Sequence, residues 1–225
     1  MPASVSLERV LILKAYGADV ILTPPERGTD GAILEARRLY ESDPEAYFMP
    51  NQFDNPANPR AHYETTGPEI WHDTDGRVTH VVAGLGTSGT LMGAGRYLKE
   101  RNPKIEVIAA EPEVGHRIQG LKSLREAIVP GIYDESIIDR RIEVSTQTAY
   151  EWALMLTRQE GIFAGQSSGT VMYAAAKVAE EIDSGLIVAV LPDLGFKYVS
   201  GPPHYDERVV EKVLEARRSG EVVRI

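Results

Sequence analysis

The stretch Val81-Val-Ala-Gly84-Leu-Gly86-Thr87-Ser88-Gly89-Thr90 decides the fold. A run of branched residues leads into glycines and hydroxyls, and a helical pattern then places Leu91, Ala94, Gly95 and Leu98 on one face. This reads as a buried strand, a tight turn and a helix N-terminus. Glycines let the backbone come close to an anion, and Thr87, Ser88 and Thr90 offer hydroxyl donors. Unpaired N–H groups at the helix start add partial positive charge. The expected guest is a phosphorylated small molecule held by Gly86, Thr87, Ser88, Gly89 and Thr90.

Outward from this turn, four runs rich in branched residues read as strands, at 78–82, 105–110, 141–144 and 186–191. Helical patterns separate them. Tyr150, Ala153, Leu154 and Thr157 share a face after the third strand, and Val171, Ala174, Ala175, Val178 and Ile182 repeat the pattern before the fourth. Strands alternating with helices of this length require crossover connections. The fold class is therefore α/β, a mostly parallel sheet with helices on both faces. Ligands of such sheets lie beyond the carboxyl ends of the strands, where residues 84–90 fall.

The first portion differs. It reads as a helix at 7–16, a strand at 18–22, a turn at Pro24-Pro25 and a helix at 33–40, with a Pro- and Asn-rich crossing at 51–59. One strand cannot make a sheet. Residues 1–55 are expected to be the remnant of a smaller, incomplete N-terminal domain, and 56–225 the α/β domain. The apolar elements of the first portion should leave an exposed patch unless another chain covers it.

Composition narrows the function. The 225 residues carry a formal charge of -9, and the pI near 5.1 argues against nucleic acid or an acidic membrane as partner. The absence of cysteine rules out disulfides, zinc–thiolate sites and a cysteine nucleophile, and fits the cytoplasm. No secretory leader or membrane span is legible, so a soluble protein is expected. The histidines, His62, His72, His80, His116 and His204, lack paired metal spacing, and no metal is predicted.

Six segments in order resemble the cysteine synthase family, most nearly its B branch. They are Met1-Pro-Ala-Ser-Val-Ser-Leu-Glu-Arg9, Asn51-Gln-Phe-Asp-Asn-Pro-Ala-Asn58, Thr66-Gly-Pro-Glu-Ile70, Gly86-Thr-Ser-Gly-Thr90, Glu160-Gly-Ile-Phe-Ala-Gly-Gln-Ser-Ser-Gly169 and Leu191-Pro-Asp-Leu-Gly-Phe-Lys-Tyr-Val-Ser200. The resemblance implies the tryptophan synthase beta-like pyridoxal-phosphate fold and a homodimer. It implies replacement of a leaving group on the β-carbon of an activated serine, such as O-acetylserine or O-phosphoserine, by sulfide. Homocysteine as acceptor stays open, as in the related cystathionine synthases.

The resemblance also assigns roles. Residues 86–90 would hold the phosphate of pyridoxal 5'-phosphate, Gln52 would approach substrate, and Gly161 would lie where the chain closes over the cofactor. A glycine after Glu160 is equally a helix C-cap. Ser167, Ser168 and Gly169 resemble a stretch lining the cleft, although capping alone explains serines there. Asp193 stands in the turn after the last strand, where the resemblance implies a hydroxyl facing the pyridine nitrogen; a carboxylate would protonate the ring.

The family's chain begins upstream of the segment matching Met1. The lysine that tethers the cofactor, in a Ser-x-Lys-Asp-Arg-like context, and a Thr-Ser-Gly-Asn-Thr loop for the substrate carboxylate are not among these 225 residues. Lys14, Lys99, Lys104, Lys122, Lys177, Lys197 and Lys212 all lie in other contexts, so no catalytic lysine is assigned. The expectation is non-covalent cofactor binding at most, no cysteine synthesis by this polypeptide alone, and pairing with a missing N-terminal segment or a second copy.

Two rival readings stand beside this. Gly84, Gly86 and Gly89 fit G-x-G-x-x-G, with Glu111 at the end of the next strand, as in a nicotinamide oxidoreductase. The chain could also be a non-catalytic fragment or split-enzyme subunit.

Overall fold

The structure is a computed structural model, which describes residues 1–219. Four parallel strands, β1 (His80–Gly84), β2 (Glu106–Pro112), β3 (Arg140–Val144) and β4 (Ile187–Ala189), form one sheet in the order β3-β2-β1-β4. Val82 pairs with Ile108 on one side and Ala189 on the other. The chain steps outward from β1 to β3 and then returns to lay β4 on the other side of β1. This reversal opens a crevice between the carboxyl ends of β1 and β4.

Alternation along the strands builds a core on each face. Val81, Ala83, Val107 and Ala109 face a cluster with Leu91, Met92, Ala94 and Leu98. Val82, Ile108 and Ala110 face Val171, Ala174, Ala175 and Val178 of α7 (Gln166–Glu181). The first face is closed by α3 (Ala57–Glu64), α4 (Thr66–Asp73), a π-helical turn (Leu91–Gly95) and α5 (Arg96–Arg101). α6 (Thr146–Gln159) lies against α7 and buries Ala149, Ala153 and Leu156. Of the expected face through Tyr150, Ala153, Leu154 and Thr157, Ala153 is buried and the other three are partly exposed, because the close contact with α7 draws in Ala149 and Leu156 beside it.

β3 sits at the edge and exposes Arg141 and Glu143 on either side of the partly buried Ile142, charges that blunt an open edge. β4 is shorter than expected, since its one neighbour within the sheet is β1.

The first portion departs further. α1 (Leu7–Ala15) and α2 (Gly28–Ser42) form, the latter after a single 3-10 turn at Pro25–Arg27. The strand expected at 18–22 does not. In its place stands an isolated parallel bridge between Pro2 and Thr23, because among the described residues no neighbouring strand extends the ladder. Leu7, Leu11, Tyr16, Ile21, Leu22, Leu34 and Phe48 are exposed, which matches the expected apolar patch.

The Pro- and Asn-rich passage expected to be a crossing runs into a helix. Asn55 Oδ1 accepts the Ala57 N–H at 2.9 Å ahead of α3, and Pro56 stands where a missing N–H costs nothing. A final helix, α8 (Glu207–Ser219), completes the described residues.

Candidate cofactor-phosphate site

Beyond β1 the chain turns at residues 85–88 and enters a helical run at Gly89. Ser88 holds a left-handed backbone, φ 72°, uncommon for a residue with a β-carbon. Its side chain is buried, and its hydroxyl has no hydrogen-bond partner among the described residues. A buried unpaired hydroxyl in strained backbone is costly unless a ligand completes it.

Helix α3 supports this turn. Asn58 Nδ2 donates to Thr87 Oγ1 at 3.0 Å and to the Gln52 carbonyl at 2.8 Å. Thr87 Oγ1 also accepts the Gly89 N–H at 3.3 Å. A β-carbon on Gly89 would lie 1.9 Å from Asn58 Oδ1, so the close approach of α3 requires glycine there. His62 reaches Thr90 Oγ1 through Nε2 at 3.2 Å and Thr66 Oγ1 through Nδ1 at 2.9 Å. Burial lowers the His62 pKa, which favours the neutral ring.

Asn58 and His62 had no role in the sequence reading. The Asn-Pro pair at Asn55 is the sequence signal for the helix that carries both, and Asn58 falls within the 51–59 passage expected to be a crossing. Gln52 is exposed and meets the turn through its backbone carbonyl by way of Asn58.

Gly161 has φ 69° and open space where a β-carbon would stand. It follows α6 and lets the Ile162 N–H turn back to the Leu156 carbonyl at 3.1 Å, which is a capping role. Capping does not explain the serines of α7. Gly165 is the cap residue, and among the described residues no side chain caps that helix and the buried Ser168 hydroxyl has no partner. Ser167 is buried too, and its Oγ lies 4.0 Å from the β-carbon position of Gly120.

Asp193 follows β4. Its Oδ2 accepts from Tyr198 Oη at 2.6 Å and stands 3.7 Å from Arg9 and 3.6 Å from Lys197. Its Oδ1 faces the backbone of Gly165, 2.0 Å from where a β-carbon would sit. Burial, followed by the bond to Asp193, pushes the Tyr198 phenol well above its ordinary pKa, so the hydroxyl stays a donor.

The dinucleotide reading fails at its acidic residue. Glu111 is buried, with Oε1 accepting the Leu124 N–H at 2.7 Å and Oε2 facing Arg141 at 3.3 Å. Its carboxylate ties down the loop after β2 and is not offered to a ribose.

Among the lysines, Lys122 is buried against Asp30, Lys99 pairs with Asp139 at 2.6 Å and Lys177 with Glu180 at 2.8 Å. No helix among the described residues is long and apolar enough to cross a membrane.

Known proteins resemble this chain in sequence and fold. A cysteine synthase of Aquifex aeolicus is 50% identical over 205 residues, covering 89% of this chain and 63% of that protein. The chain thus spans less than two thirds of that relative's length. A cysteine synthase of Staphylococcus aureus is 42% identical over 214 residues, 90% of this chain and 67% of the relative. Among solved structures, cysteine synthase from Entamoeba histolytica superposes with a TM-score of 0.81 at 38% identity, covering 96% of this chain and 68% of that one. The O-acetylserine dependent cystathionine beta-synthase from Helicobacter pylori gives 0.84 at 34% identity, covering 91% and 69%. Residues 1–193 match the family described as pyridoxal-phosphate dependent enzyme. On the sheet order, the turn beyond β1 and these likenesses together, the chain belongs to the pyridoxal-phosphate dependent enzyme family.

Proposed function

We propose that this chain holds the phosphate of pyridoxal 5'-phosphate in the 86–90 turn and forms that side of the cleft of a cysteine synthase. The observation that carries the reading is Ser88, a buried hydroxyl without a partner among the described residues, held in a left-handed turn at a helix start. A phosphate dianion supplies the acceptors that this donor set lacks.

Gly86, Thr87, Ser88, Gly89 and Thr90 bind the phosphate oxygens, while Asn58 and His62 orient the two threonine hydroxyls from behind. At the other end of the cofactor we assign the pyridine-nitrogen contact to Ser167 rather than to Asp193. Asp193 Oδ2 is engaged by Tyr198 and Arg9 and its Oδ1, without a hydrogen-bond partner among the described residues, faces the Gly165 backbone, whereas the neutral Ser167 hydroxyl stands in the first turn of α7 near the Gly120 loop that rests on the phosphate turn. A neutral hydroxyl leaves the ring largely unprotonated, which suits β-elimination followed by addition. The bound cofactor would supply the electron sink for replacing the β-substituent of O-acetylserine or O-phosphoserine by sulfide.

A polypeptide of these 225 residues alone is proposed not to sustain cysteine synthesis, since none of its lysines stands in the family's tethering context. The domain division near residue 55 is supported by burial. Ile33 is the one buried hydrophobic residue of 1–55 among those described. The exposed apolar side chains of α1 and of 21–34 fit cover by a second copy or by another polypeptide segment. The absence of cysteine fits the cytoplasm.

The test is titration of the purified chain with pyridoxal 5'-phosphate, followed by fluorescence and phosphorus NMR. Saturable binding that Ser88→Ala weakens supports the reading; equal binding by Ser88→Ala overturns it.

A further inference from the structure

Gln166 is the first residue of α7 and is 1% exposed. Fully buried amides are uncommon, and this one uses both ends. Oε1 accepts the Gln119 N–H at 2.9 Å, and Nε2 donates to the Pro202 carbonyl at 2.6 Å. The two bonded segments come from opposite parts of the sequence. Gln119 lies in the loop after β2, and Pro202 in the segment after the 3-10 turn Gly195–Tyr198.

The Gln119 loop reaches the phosphate turn directly. The Lys122 N–H donates to the Leu85 carbonyl at 2.7 Å, and the Gly120 carbonyl lies 2.7 Å from the β-carbon position of Gly86. On its other side Gln119 Oε1 accepts the Ser6 N–H at 3.2 Å, which carries the connection to the start of α1. Thus one buried amide joins the first turn of α7, the loop resting on residues 85–86 and the C-terminal segment. Ser167 follows it in sequence.

We infer that Gln166 is a positioning residue, which latches the 118–122 loop against the phosphate turn and sets the orientation of Ser167. The inference deepens the cofactor reading and rests on it for its consequence, but the latch itself is a property of the ligand-free chain. An apolar side chain of similar size would satisfy the packing and release the Gln119 N–H.

Hydrogen exchange read by mass spectrometry tests the latch in the full chain without ligand. In wild type the Gln119 amide is protected, because Gln166 is its acceptor. In Gln166→Met the peptide covering 118–122 should exchange about tenfold faster, the loss expected for one buried hydrogen bond. Peptides from β1 and β2 should be unchanged. Gln166→Glu keeps an acceptor for the Gln119 N–H and, while its buried carboxyl is protonated, a donor for the Pro202 carbonyl, so at acidic pH it should restore protection of the loop.

An unprotected loop in wild type overturns the inference. So does unaltered exchange in Gln166→Met, or acceleration of every peptide together. Titration with pyridoxal 5'-phosphate forms the second arm. Weaker binding by Gln166→Met than by Gln166→Glu supports the positioning role, and equal binding overturns it. Failure of wild type to bind sinks the cofactor reading while leaving the exchange result to judge the latch.

Discussion

Replacing Gly89 by alanine probes the phosphate turn through its packing on α3. The new methyl would stand 1.9 Å from Asn58 Oδ1 and 2.6 Å from its Cγ, so the Asn58 amide must leave its place. Two hydrogen bonds leave with it, to Thr87 Oγ1 at 3.0 Å and to the Gln52 carbonyl at 2.8 Å. At about 0.5–1.5 kcal/mol net for each, Gly89→Ala should destabilise the chain by about 1–3 kcal/mol. Urea unfolding of the ligand-free protein measures this loss. The same displacement frees the Thr87 hydroxyl, and affinity for pyridoxal 5'-phosphate should drop by about tenfold, equivalent to about 1.4 kcal/mol. A double-mutant cycle isolates the cause. In an Asn58→Ala background the clash is absent, and the further cost of Gly89→Ala should shrink to below about 0.5 kcal/mol. Equal cost in both backgrounds would refute the reasoning, since the damage would then arise from the backbone of the turn and not from its support by α3.

Gly161→Ala should cost about 1–2 kcal/mol in urea unfolding, because its φ of 69° penalises a β-carbon, yet leave cofactor affinity unchanged, as the open space around it predicts. Ser167→Ala should lower affinity for pyridoxal 5'-phosphate and change the cofactor's absorption, whereas Asp193→Asn should chiefly lower stability by weakening the Tyr198 and Arg9 contacts; the converse pattern would return the ring contact to Asp193. Stability should fall with acid. Burial holds the pKa values of His62, His116 and His204 below the ordinary 6.5, so the unfolded chain takes up protons first as pH drops below that value, and the neutral-histidine contribution is lost towards the folded pKa. Urea midpoints measured from about pH 7 to about pH 5 should show this slope, and His62→Gln should flatten it.

The strands were legible because burial on both faces demands continuous branched runs, and β1 and β2 carry them. The 86–90 turn was legible because its glycines and hydroxyls have local reasons to stand together. What stayed hidden depends on distant partners. The branched residues at 18–22 look like a strand in isolation, but among the described residues Thr23 bridges Pro2 alone. Asn58 and His62 gain meaning from contacts with Thr87 and Thr90 about 30 residues away. Glu111 fitted a dinucleotide spacing, yet its carboxylate is spent on Leu124 and Arg141, which no local pattern announces. Gln166 reads as one polar residue among small ones, and its two backbone partners appear once the loops are folded.

The most direct test of the central claim is a crystal structure of the chain soaked with pyridoxal 5'-phosphate. The account predicts phosphate oxygens bonded to the Ser88 hydroxyl and to the amides of residues 86–90. A phosphate bound elsewhere, with the Ser88 hydroxyl still unpartnered, would contradict it.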